Sequence, residues 1–155
     1  MWTTPIPRVL ATLAAILALN LGLTTQAAAE QSVDVGDYVI HYTAFTTDIL
    51  QPEMAQRYDI TRSPNQVLLN VSVLKKVMGT TGRPVSAEVE AIATNLSNQL
   101  EQIQMREVDD AGAIYHLGSI AVTHGETLRF AIKVEPQGTD QAYTVRFRKQ
   151  FFTKD

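Results

Sequence analysis

Cysteine is absent from all 155 residues. That excludes disulfide staples, thiolate metal sites and cysteine nucleophiles at once, together with any lipoprotein anchor built on a cysteine. A domain without these is held by its core alone. Positive charge is also scarce: 13 Lys and Arg against 16 Asp and Glu give a net charge of −3. Nucleic-acid binding needs a basic footprint, so that class is set aside. Motifs that carry chemistry at fixed spacing are missing too. There is no G-x-S-x-G, no H-E-x-x-H or H-x-H, and no glycine loop of the kind that cradles phosphate. No cofactor is expected, and no catalytic residue is assigned.

What is present begins with an apolar run near the N-terminus. Arg8 precedes a stretch from Val9 to about Leu23, and Ala27 and Ala29 supply the small residues that a signal peptidase accepts. Asn20 and Gly22 interrupt the run, whereas a spanning helix needs about 20 consecutive apolar residues. Residues 1–29 therefore read as a signal peptide cut after Ala29, and residues 30–155 as one exported, periplasmic domain with no stable membrane insertion. Without Arg8 that domain carries 12 basic and 16 acidic residues. Its length suits a single core.

The domain opens on two strand-like runs. Tyr38, Ile40, Tyr42 and Ala44 fall on one face of an extended segment, with Val39, His41, Thr43 and Phe45 on the other. Val67, Leu69, Val71 and Val73 repeat the pattern. Between the two runs, Pro52 suits the first turn of a short helix capped by Asp48 or Gln51, and Glu53 suits the positive end of its dipole. Met54 and Tyr58, four apart, are expected to press one helical face inward with Leu50 and Ile60. This linker reads in two ways. It is a packed loop closing one end of a sandwich, or it is a recognition surface built on Arg57, Tyr58 and Arg62.

The run HYTAFTTDILQPEMAQRYDITRS followed by NVSVLKK, and later NLSNQ, REVDDAGAIYHLG and HGETLRF, resembles a bacterial family known only as domain of unknown function 4426 (DUF4426). The resemblance extends over nearly all of the exported part. It implies an exported β-sandwich and brings no activity, cofactor or catalytic residue with it.

Further along, residues 85–105 fit two templates. Val85, Ala87, Val89, Ala91 and Ala93 alternate as in a strand, while Val85, Val89, Ile92, Leu96, Leu100 and Ile103 match a helix. Thr94, Asn95, Ser97 and Asn98 are poor helix formers and good turn formers, which favours strand, loop, strand. Asp109-Asp110-Ala111-Gly112 reads as a hairpin turn between strands at 100–108 and 113–122. Leu128, Phe130, Ile132 and Val134 alternate with Arg129, Ala131 and Lys133. Tyr143, Val145, Phe147, Lys149 and Phe151 share a face of the last strand. The fold expected is all-β: a single immunoglobulin-like β-sandwich of about seven strands, with a short helix between the first two.

Function is read from what remains. The expected role is a non-catalytic envelope module that binds an unidentified protein or other envelope component, at Arg57, Tyr58 and Arg62. One alternative is a metal-binding or hydrolytic protein using His41, His116 or His124, which strands would have to bring together. Another is a folding factor that holds exported chains by strand addition. Arg146, Arg148 and Lys149, with Phe151 and Phe152, read either as a partner surface or membrane contact, or as charges guarding a strand edge.

Overall fold

The computed structural model describes residues 30–153, so the signal-peptide assignment and its cut after Ala29 lie outside the described residues. Two antiparallel sheets pack face to face. The first runs β1 (Gln31–Val35), β2 (Tyr38–Thr46), β3 (Gln66–Lys75), β8 (Ala113–Ala121), β7 (Arg106–Asp110), with the two-residue β4 (Arg83–Pro84) beside the end of β3. The second runs β10 (Tyr143–Gln150), β9 (Thr127–Pro136), β5 (Ala87–Thr94), β6 (Leu100–Ile103). The expected all-β sandwich is what the chain forms.

The inner faces follow the alternation of the sequence. Ile40, Val67, Leu69, Val71 and Val73 of the first sheet, and Ile132 and Val134 of the second, are completely buried. Each such side chain contributes about 1.5–3 kcal/mol through removal from water. An aromatic file crosses between the sheets: Tyr42 meets Phe147 at 4.9 Å, Phe147 stacks on Phe130 at 4.6 Å, and Phe130 meets Phe151 edge-on at 6.2 Å.

Strand, loop, strand is also the outcome over 85–105. The β5–β6 turn is organised by Asn95, whose Oδ1 accepts from the backbone N–H of Ser97 and of Gln99, both at 3.0 Å. Asn98 takes a left-handed φ of 61° there, which asparagine tolerates well.

Two features depart from the expected layout. Residues 31–35 add a strand that the sequence pattern did not reveal, because QSVDV offers only two apolar residues. The segment expected as one strand over 100–108 is two strands in different sheets. β6 pairs with β5, and after Gln104 and Met105 the chain enters the first sheet as β7, paired with β8. Gly118 of β8 makes that crossing fit. A Cβ there would lie 2.5 Å from Met105 Sδ, 2.6 Å from Ile103 Cγ2 and 2.9 Å from the Gln104 carbonyl.

Candidate functional site

The linker between β2 and β3 forms a strap. Thr47–Ile49 makes one 3-10 turn, and α1 (Pro52–Arg57) follows with Pro52 in its first turn. Gln51 occupies the N-cap position but makes no side-chain cap bond. The strap lies over the outer face of the first sheet. Leu68 pairs with Ser119 and Leu117 with Asn70, both on the face away from the core, yet Leu68 and Leu117 are buried. Ile60 and Asp59 line a cleft of about 250 Å³ with those two leucines. The residue of α1 that turns inward is Ala55; Met54, expected inward, stands exposed.

The strap is tied at both ends by groups with little sequence signal. Thr47, fully buried, donates from Oγ1 to the Thr61 carbonyl at 2.8 Å and accepts from the Ser63 N–H at 2.9 Å. Arg62 donates to the Asp48 carbonyl at 2.8 Å. At the far side, Tyr58 donates its phenol proton to Asp110 Oδ2 at 2.6 Å, and the Arg57 guanidinium stands 3.6 Å from the same oxygen. Arg106 of β7 donates to the Tyr58 carbonyl. The bond to Asp110 holds the Tyr58 phenol above its ordinary value of 10.0, with burial and the carboxylate charge adding to it.

Of the three residues expected to form a recognition surface, Arg57 and Tyr58 thus meet at Asp110, while Arg62 serves the other end of the strap. Arg57 remains 59% exposed. On the same strap, Ile49 and Met54 are exposed large apolar side chains.

The histidines are not brought together. His41 and His116 pair with adjacent residues of β3, Ser72 and Val71, from opposite sides, so their side chains leave the sheet on opposite faces. His41 stands 3.4 Å from Glu30. His124 lies in the β8–β9 turn and its Nδ1 meets the Thr153 carbonyl at 2.7 Å. Among the described residues no three of His, Asp and Glu converge as a metal would require. His116, almost fully buried, has the Val71 carbonyl 3.3 Å from Nδ1 and Glu107 Oε2 3.1 Å from Nε2. Ser86 donates to the other oxygen of that carboxylate at 3.1 Å. The serine therefore bonds to the carboxylate and not to the imidazole. This arrangement ties the residue leading into β5 to β7 and β8.

The last strand divides its charges. Lys149 points inward and donates to the Ala44 carbonyl of β2 at 2.6 Å, with its ammonium 5.7 Å from the Phe151 ring centroid. Burial lowers its pKa from the ordinary 10.5. Arg146 and Arg148 point outward.

Comparison with known proteins places this architecture. The model of the family described as domain of unknown function DUF4426 matches residues 32–154. A crystal structure of a DUF4426 family protein from Pseudomonas aeruginosa PAO1 is 35% identical with a TM-score of 0.70, the match covering 81% of this chain and 97% of that one. FetP of uropathogenic Escherichia coli, expressed recombinantly in the periplasm, is 8% identical at a TM-score of 0.57 over 82% of this chain and 96% of its own. A copper-bound variant of FetP gives 8% and 0.56 over 81% and 97%. At that identity the likeness to FetP is one of fold. No curated protein matches the sequence. With a family model matched over the whole sandwich, and a family structure at 35% identity, the chain belongs to the DUF4426 family.

Proposed function

We propose that this chain is an exported, non-catalytic binding module of the cell envelope, released into the periplasm by cleavage after Ala29, and that its partner is an envelope protein held on the strap. The observation that carries the reading is the strap itself. The strap is braced internally by Thr47 and Arg62 and joined to the sheet by Tyr58 on Asp110 and Arg106 on the Tyr58 carbonyl, and it presents Arg57, Ile49 and Met54 to solvent instead of burying them. Function is commonly carried by loops positioned on a rigid scaffold. Arginine and tyrosine are also among the residues that dominate interface energy. In this reading Arg57 contacts the partner directly, while Tyr58 and Arg62 hold the strap in its binding shape.

The experiment is capture from envelope extract with the processed domain. Arg57→Ala should melt like the parent and lose the captured protein, and Tyr58→Phe and Arg62→Ala should weaken capture with a small fall in melting temperature. Full capture by all three variants would remove the strap as the binding surface. N-terminal sequencing of the exported protein tests the cleavage, and recovery of intact Met1 would overturn it.

A further inference from the structure

The outer face of the second sheet carries a charge pattern that the fold itself does not need. Arg148 of β10 sits directly opposite Arg129 of β9, and Arg129 directly opposite Thr94 of β5, which is opposite Leu100 of β6. The next outward row is Arg146, Ala131, Ile92 and Gln102. Two like charges directly opposite on neighbouring strands oppose folding. No carboxylate stands in either row; the first one along the sheet is Glu90, 3.7 Å from Lys133. On a chain with net charge −3, three arginines have been gathered at one end of one face.

The same end is rimmed with exposed apolar side chains. Leu100 closes the first row at 62% exposure, and Leu96 at 68% belongs to the turn whose Asn98 Oδ1 accepts from Arg129 at 2.6 Å. Phe152 lies at the other side. Backbone bonds from Phe151 N–H to the Glu126 carbonyl and from Gly125 N–H to the Phe151 carbonyl carry the pairing past Gln150. Phe151 is buried, so Phe152 turns outward, 65% exposed. Three of the seven exposed large apolar side chains among the described residues therefore surround one arginine cluster.

We infer that this face is a peripheral docking surface for an anionic lipid bilayer. The arginines stand on a flat sheet over an open groove of about 440 Å³ floored by Ala131, with nothing enclosing a small ligand. A flat cationic array with an apolar rim matches a plane of phosphate headgroups and the acyl boundary just beneath them. A peptide adding along the edge of β10 fits less well. The inward charge of Lys149 on that edge strand is a device that discourages strand addition. The attraction acts only at close range, because charges beyond about 8 Å are screened at physiological ionic strength. The chain's net negative charge therefore does not cancel it.

The test is co-sedimentation of the processed domain, beginning at Glu30, with vesicles of phosphatidylcholine alone or mixed with phosphatidylglycerol. Binding is expected only to the mixed vesicles, and it should weaken as salt is raised. Each of Arg146→Gln and Arg148→Gln should lower partitioning about fivefold, the typical contribution of one basic residue near an anionic surface. The double Arg146→Lys, Arg148→Lys variant should bind like the parent, since headgroup attraction needs charge and not a guanidinium fork. Phe152→Ser should lower binding at every salt concentration. Thermal melts should show no variant less stable than the parent, because the substituted groups are exposed, and Arg148→Gln should melt slightly higher through loss of the like charge facing Arg129. Absence of binding to the mixed vesicles overturns the inference, as does binding that survives loss of both arginines. Inorganic phosphate or pyrophosphate that binds the parent equally well without vesicles, and is lost in the lysine double variant, would replace the bilayer with a small anion.

Discussion

On the outer face of the first sheet, Leu68 and Leu117 point away from the core and are still only 3% and 5% exposed; on the outer face of the second, Arg129, Lys133, Arg146 and Arg148 stand in water. Strand parity is the same in both cases, and every one of these residues is on the outside of its sheet. What differs is the connection. Between β2 and β3 the chain has about twenty residues, enough for a 3-10 turn and a helix to fold back across the first sheet. The connections bordering the second sheet are tight turns that cover nothing. A sheet face is therefore apolar where a segment lies on it and charged where none does, and the residue type reports the cover as much as the fold.

That comparison can be broken. The shared interior sets the largest effect: Phe130→Ala, which removes the middle of the aromatic file, should cost about 3–5 kcal/mol in urea unfolding. Next come the outer faces. Leu117→Ala should cost roughly 2–4 kcal/mol if the strap buries it as a core residue, whereas Ile92→Ala, half-covered on the second sheet, should cost about 1 kcal/mol or less. Equal losses at the two positions would mean that the strap is not seated in solution. Gly118→Ala should cost about 1–3 kcal/mol through crowding of Met105 and Ile103 where the chain changes sheets.

Most of the sandwich was legible because its central strands alternate. The faces of β2, β3, β9 and β10 are those that the sequence pattern predicts, and the Asn95 turn forms for the reason given by its residue types. Edges were less legible. β1 pairs on one side only, so two apolar residues in five suffice, and period-2 reasoning passes over it. The break between β6 and β7 was hidden because apolar residues at 100, 103, 105 and 108 keep up a run while the chain changes partner. Its one sequence mark is a lone Gly118 in a strand, which often signals the close approach of another backbone. The strap was half legible. Pro52 marks its helix, but Ala55 turns inward and Met54 stands exposed, since a helix of six residues offers too little periodicity to fix which face is covered. Asp110, where Arg57 and Tyr58 meet, lies 52 residues beyond Tyr58. Only register places it there. The arginine face was similarly hidden: Arg146 and Arg148 are visible along one strand, and Arg129 joins them only through the β9–β10 pairing.

The smallest effect is the most specific to the strap, and it is read by pH. Tyr58 donates to Asp110, so the folded chain holds the phenol proton to higher pH than the unfolded chain, whose tyrosine titrates near 10.0. Between those two values the native state binds more protons, and stability must fall as pH rises. The contribution is fully present below about pH 10 and is lost through the folded value. Tyr58→Phe should cost about 1 kcal/mol at neutral pH, the usual net worth of one hydrogen bond, and should remove that alkaline fall. Lys149 acts with the opposite sign in the neighbouring window. Burial lowers its folded pKa from 10.5, the unfolded chain binds more protons there, and stability rises with pH. The parent protein therefore sums two opposed slopes near pH 10, and its own profile can look flat. The variants separate them. Tyr58→Phe should expose the rise belonging to Lys149, and Lys149→Met should expose the fall belonging to Tyr58. If Lys149→Met shows no alkaline fall and Tyr58→Phe leaves stability at neutral pH unchanged, the ring is packed against the sheet without its bond to Asp110, and the strap is held by Thr47, Arg62 and Arg106.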